Sequence, residues 1–533
     1  LKIRPVAIRP RHKRSSMAGE PPVHPAILNI EACPEPVSLG VKGSLPPWLA
    51  GSLYRVGPGT FDIRTKNGGV FTVGHWFDGI SVMHRFQIDG GVGTVRYQSR
   101  CIAEEQKRKM ETDGGSYLIT FGTDPCYGLF GRAFFAVKTL MGGERPEYNI
   151  GVDVKEIAAP EGGGKTRLIA TSDQHIVLEF DPETLEPTGQ KKFAYSALEN
   201  LGEAKGMFSS THGQRDEKAK EYYNYVLFTE GPPKYHIFCI PDDKPAYVLT
   251  SFAASPAYIH SFGLTEHYFI LLVWPSTMTT LPPKILYTMN VLDTLNWEPE
   301  LGVQIYVVDR QKRALVGRYQ TEAFYCFHTV NSFEVEDSDG GRTVCVDLIT
   351  YKDRSIIDHF KVDKLRATKT FPSSRYSRVT MKNVPVDGAA FEGTPAPAEV
   401  AELCPGVGAQ VAAVEFGSVH PDLHMRRHRY VYVSGSSPTC STGLFDAIGK
   451  IDIESGQLLR WSEAGCAPGE PIFFPKPGAS EEDEGVLLTM VHGGQAKSFL
   501  LLLDAKDLSE LARAETPDAF PLGFHGKFVS SKI

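Results

Sequence analysis

The chain has 533 residues, 42% hydrophobic and 22% charged, which excludes a disordered or fibrous protein and allows a large core. A formal net charge of -7 offers no basic face for nucleic acid. No run reaches the roughly 20 apolar residues that a membrane-spanning helix needs.

Residues 1–35 open with Lys2, Arg4, Arg9, Arg11, Lys13 and Arg14 and read as a disordered basic segment, with Met17 available as a start. From 36 to 533 no linker divides the chain, and a single domain is expected. Along it one local pattern recurs: an apolar run ends in Asp, a polar turn follows, and a second run leaves. The copies are Phe86–Gly91, Leu178–Leu185, Val307–Leu315, Ile451–Leu458 and Leu502–Leu508. An Asp side chain can bond the backbone two residues on and close a hairpin. Such hairpins, with 51 Gly and 37 Pro for turns, suit the blades of a propeller. The repeat alone leaves open a mixed protein with unrelated hairpins.

Helical signal is sparse. Residues 124–138 combine large apolar side chains with Arg132 and Lys138, a composition suited to a membrane surface. Gly162-Gly163-Gly164-Lys165-Thr166 lacks the earlier glycine of a phosphate loop, since position 159 is Ala. Residues 383–410 read as a long loop. The nine cysteines form no CxxC pair, and a reduced, cytosolic chain is expected.

Four of the 16 histidines share a setting of nearby aromatic residues: His212, His260, His328 and His525. They lie roughly 50, 70 and 200 residues apart, so no local metal motif joins them, and only a fold that gathers distant loops would bring them together. His420, His424 and His428 are spaced for one helix face, but their doubly basic surroundings read as a solvated loop.

With these histidines the sequence resembles the carotenoid cleavage oxygenase family, from about Pro36 to the end. The resemblance rests on Gly51-Ser52-Leu53-Tyr54-Arg55-Val56-Gly57-Pro58-Gly59, on Phe77-Asp78-Gly79, and on Tyr258-Ile259-His260-Ser261-Phe262-Gly263. Glu470-Pro471-Ile472-Phe473 and Phe524-His525-Gly526 complete it. It implies an all-β, seven-bladed propeller with a helical and loop cap over an axial Fe(2+). It implies His212, His260, His328 and His525 as iron ligands, with Glu415, Glu470 and Asp173 behind them. Asp173 stands where many relatives carry Glu, and one missing methylene calls for a water or a shifted backbone. Phe121, Tyr258, Phe324, Tyr351 and Phe524 are expected to line a substrate tunnel.

The activity implied is O2-dependent cleavage of a conjugated C=C bond in a carotenoid or apocarotenoid, β-carotene at its central 15,15' bond to give retinal being favoured. Torulene, or another bond or apocarotenal, is the close alternative. Ser172, where stilbene-cleaving members carry Lys, weighs against stilbenes. A non-oxidative retinyl ester isomerohydrolase and a non-catalytic carotenoid carrier are the other classes. Peripheral membrane contact through 124–138 is expected, and Cys126 aligns with an acylated cysteine of a relative.

Overall fold

The recurring aspartates close the turns their sequence context suggests. Asp181 Oδ1 accepts from the backbone N–H of Glu183 and Thr184 at 2.9 and 2.8 Å, and Asp309 Oδ1 from Gln311 and Lys312 at 2.9 and 2.8 Å. Asp89, Asp452 and Asp504 accept in the same way from Val92, Glu454 and Lys506 at 3.0, 3.0 and 2.7 Å. Each turn sits in the outer part of a different antiparallel sheet. The computed structural model describes His24 and residues 26–115, 120–124, 148–158, 166–192, 208–229, 231–279, 290–338, 340–367, 370–386, 391, 393–440, 442–494 and 497–531.

Among the described residues, seven sheets of four to six strands, antiparallel but for one parallel edge strand, are the blades of a seven-bladed β-propeller, accompanied by two short two-stranded ribbons. The ring is closed by pairing its ends. Gly526–Ser530 pairs with Ala50–Thr60, Arg55 facing Gly526, while Val41–Gly43 pairs with Glu510–Glu515. The last segment of the chain is thus the axial strand of the first blade. A Cβ on Gly526 would lie 2.1 Å from the Tyr54 carbonyl oxygen, so this closure requires glycine there.

Position in a blade follows residue pattern. Tyr268–Val273 is apolar throughout and buried at every position, because a middle strand is covered by the neighbouring blade on each face. The outer strand Gln457–Trp461 has no fully buried position, and even its Leu459 is exposed. The uneven spacing of the hairpins comes from insertions. The helices Glu104–Asp113, Ser355–His359 and Val362–Ala367 and the short turn Trp76–Asp78 belong to the segments that roof one end of the axis.

Residues 383–410 are not one long loop. Ala396–Pro397 adds a parallel edge strand to one blade and Glu399–Glu402 an antiparallel edge strand to the next, through Ser377–Thr380. Edge strands this short bury little and leave no hydrophobic pattern to read. The segment 125–138, Cys126, and most of the 162–166 glycine run lie outside the described residues, as do 1–23. Among the described residues, no helix is long and apolar enough to cross a membrane, and no cysteine is in a disulfide.

Candidate metal centre and substrate cavity

The four histidines gather because each stands at the entrance of an axial strand. His212 lies between Phe208–Ser209 and Gln214–Asp216, and His260 shortly before Gly263–Leu264. His328 directly precedes Thr329–Glu336, and His525 directly precedes Gly526–Ser530. Hydroxyls tie these entrances across blades. Ser210 Oγ donates to the His260 carbonyl at 2.6 Å and accepts from the His212 N–H at 3.1 Å. Ser261 Oγ donates to the Phe327 carbonyl at 2.7 Å and accepts from the Thr329 N–H at 2.8 Å.

One ring nitrogen from each histidine meets the others within 4.8 Å. His212 Nε2 and His260 Nε2 approach to 3.1 Å, and the buried His328 Nε2 has no protein partner. The ring centroids of His212 and His525 lie 4.3 Å apart, and those of His260 and His525 6.5 Å.

Every outer nitrogen faces a carboxylate. His260 Nδ1 lies 2.9 Å from both oxygens of Asp173, His328 Nδ1 2.5 Å from Glu415 Oε2, and His525 Nδ1 2.8 Å from Glu470 Oε1. Asp173 reaches its histidine directly, with no water between them. The bridge of Gln174 to Phe208 and the bond of Ser209 N–H to the Asp173 carbonyl at 3.0 Å bring its backbone close. The fourth pair, His212 Nδ1 to Asp153 Oδ2 at 2.9 Å, is absent from the sequence-derived set. A lone Asp opening a short strand that also carries Lys155 and Glu156 gives no signal of such a role.

Each carboxylate also has a second donor. Tyr258 Oη donates to Asp173 Oδ2 at 2.6 Å and Tyr351 Oη to Glu415 Oε1 at 2.7 Å. Arg55 Nη1 donates to Glu470 Oε2 at 2.5 Å, and Lys155 Nζ lies 2.7 Å from Asp153 Oδ2. Arg55, within the glycine-rich N-terminal signature, also holds the Phe524 carbonyl at 2.9 Å. Burial raises the Glu470 carboxyl to about 7 even beside Arg55. Burial likewise raises Asp153, but Lys155 and the His212 hydrogen bond outweigh it and hold that carboxyl well below its usual range. Burial first, and the neighbouring histidines second, keep His212 and His525 neutral.

Four imidazoles with their outer nitrogens held by carboxylates form a donor set for a divalent cation such as Fe, Zn, Cu or Ni. With all four carboxylates ionised, Arg55 and Lys155 leave two negative charges, which one divalent ion would offset. The residues present therefore fit a metal.

The cluster separates two cavities. One is aromatic and lies under the roof, lined by Trp76, Phe77, Phe121, Tyr258, Phe327, Phe360, Phe416, Phe445 and Phe524, with Gln106 and Met110 of the helix Glu104–Asp113. Phe121, Tyr258 and Phe524 thus stand in it. Phe324 and Tyr351 do not. Phe324 packs on Trp274 with ring centroids 5.6 Å apart, and Tyr351 is spent on Glu415. The second cavity is polar and lies along the axis, lined by Asp153, Lys155, His212, Gln214, Thr329, His424 and Glu470. His424 therefore borders this cavity. His428 is buried between Asn331 Nδ2 at 3.0 Å and Tyr376 Oη at 3.1 Å, not solvated. Asp78 carries its own role: its oxygens accept from Phe121 N–H, Gly122 N–H and Thr123 Oγ1 at 2.6, 2.9 and 2.6 Å, fixing one wall of the aromatic cavity.

Comparison with known proteins agrees with this geometry. The family model for retinal pigment epithelial membrane protein matches residues 29–530. A carotenoid dioxygenase of Neurospora crassa is 32% identical, over 93% of this chain and 89% of its own. A torulene dioxygenase of Gibberella fujikuroi is 31% identical over 92% and 90%. The β,β-carotene 15,15'-dioxygenase of Gallus gallus is 28% identical over 94% and 97%. A solved structure of Synechocystis apocarotenoid oxygenase, a Glu150Gln mutant, superposes with a TM-score of 0.74 at 24% identity, covering 95% of this chain and 98% of that one, and shares the fold.

Proposed function

This chain belongs to the carotenoid oxygenase family and is a carotenoid-cleaving dioxygenase, and from that premise we propose that it uses Fe(2+) held by His212, His260, His328 and His525 to cut β-carotene at its central 15,15' bond. The balance is one C=C bond and one O2 in, two aldehydes out; for β-carotene both products are retinal. The observation that carries the reading is the four-histidine cluster, backed by carboxylates and opening onto an aromatic cavity. When bound, the iron supplies activation of O2 beside the polyene.

The chain's own residues do the rest. Asp173, Glu415 and Glu470 fix the tautomers of His260, His328 and His525, so each Nε2 faces the centre. Phe121, Tyr258 and Phe524 offer flat apolar faces to a conjugated hydrocarbon and exclude water from it. Asp78 keeps Phe121 in place through its backbone.

Torulene is the second reading, favoured by a fungal torulene dioxygenase at 31% identity against 28% for the Gallus gallus 15,15' enzyme. Peripheral membrane contact through 124–138 belongs to the same proposal. Thr123 before that stretch and Tyr148 after it both line the aromatic cavity, so a surface-bound stretch there would stand beside the polyene's entry. Incubation of the iron-loaded chain with β-carotene or torulene in detergent, followed by chromatography, tests the substrate. Retinal alone from β-carotene is expected. Longer apocarotenals would move the cut off centre, turnover of torulene alone would transfer the assignment to it, and conversion of retinyl ester alone would favour an isomerohydrolase.

A further inference from the structure

Asp153 stands outside the set of acids that the family resemblance brings, and on the opposite side of the histidine cluster from the aromatic cavity. It opens Asp153–Ala158, the axial strand of the second blade, and is 2% exposed. Residues two apart on a strand share a face, so Asp153 and Lys155 both turn to the polar axial cavity, which they line with His212. Asp153 Oδ2 takes His212 Nδ1 at 2.9 Å and Lys155 Nζ at 2.7 Å, and Oδ1 accepts from the Val154 N–H at 2.7 Å. Both of its oxygens are thus engaged, which fixes the carboxylate plane. The arrangement repeats that of Glu470 between His525 and Arg55. His212 borders the polar cavity and not the aromatic one, so solvent could claim its outer nitrogen in the absence of a charged acceptor.

We propose that Asp153, braced by Lys155, is a positioning residue that fixes the ring and tautomer of His212, making the centre one of four histidine–carboxylate pairs. It acts through His212 and touches no substrate. The inference rests on the metal-centre reading above.

The test uses the full chain, stripped with chelator and titrated with Co(II), read by visible absorption and by competition with a chelating dye. The variants are Asp153→Ala, Asp153→Glu and Lys155→Met, with Asp173→Ala as a benchmark. Asp153→Ala and Asp173→Ala are both expected to bind Co(II) about 10- to 100-fold more weakly, with altered absorption bands. Asp153→Glu is expected to recover part of the affinity and bands. A merely structural ion pair would lower the melting temperature while leaving Co(II) affinity and bands at the parent's values, and that result overturns the proposal. Should Asp153→Ala fail to fold, Lys155→Met decides: weaker binding with shifted bands supports the unit, parent-like binding refutes it. A parent chain that binds no Co(II) would sink the metal centre and this proposal together, which separates the two failures.

Discussion

Removing Arg55 gives the sharpest view of how the first blade supports the centre. The side chain is 1% exposed, and its guanidinium divides between Glu470 Oε2 at 2.5 Å and the Phe524 carbonyl at 2.9 Å. Arg55→Met is close in length and keeps the core filled, but strands a buried carboxylate. Breaking one side of a buried ion pair costs about 3–5 kcal/mol while the surviving charge stays, an upper bound here because Glu470 can take up a proton instead. Coulomb attraction at about 4 Å and an effective dielectric near 20 gives a similar figure, about 4 kcal/mol. With Arg55 gone, the Glu470 carboxyl, already raised to about 7 by burial, rises further and is neutral at pH 7. His525 then loses its charged acceptor, and metal affinity falls by about 10- to 100-fold. Arg55→Lys keeps the charge but not the fork, and is expected to fall between. Urea unfolding of the metal-free chain measures the first effect and competition with a chelating dye the second. A stability loss under about 1 kcal/mol with unchanged metal affinity would refute the argument.

Other expectations follow from the same contacts. His260→Ala is expected to abolish both metal binding and turnover, and retained activity in metal-analysed protein would remove His260 from the ligand set. Tyr351→Phe leaves Glu415 Oε1 without its phenolic donor and should cost about 1–3 kcal/mol in denaturant unfolding, whereas a tunnel role alone would change KM and spare stability. Burial holds His75 to about 4 and His84 to about 3, below the usual value of 6.5. As pH falls, the unfolded chain takes up these protons first, so stability falls with pH. From pH 7 to 5 each residue costs about 2 kcal/mol, and a chain equally stable in urea at both values would contradict this.

What the sequence discloses depends on how local the physics is. The Asp-closed hairpins are legible because acceptor and donor lie two or three residues apart, as Asp181 and Asp309 show. The order of strands is not, since Gly526–Ser530 completes the first blade from the far end of the chain. Aromatic surroundings singled out the four histidines, and the family motifs gave them roles. The carboxylates behind three of them came from that resemblance. Asp153 was invisible, because its partner His212 lies 59 positions away and nothing local marks it. Tyr351 and Phe324, expected in the tunnel, do not line the aromatic cavity, because an aromatic near the centre can as readily anchor a carboxylate or pack on another ring. Arg55 sat inside a recognised motif, yet only the closing strand reveals what it holds.

The central claim is that the chain inserts both atoms of O2 into a polyene. The direct measurement is cleavage of β-carotene by the iron-loaded chain under 18O2, with the products reduced at once to stop exchange with water, and then weighed by mass spectrometry. The account predicts one 18O in each of the two aldehyde fragments and no product under nitrogen. Product formed equally well without O2, or carrying oxygen from water in either fragment, would contradict it.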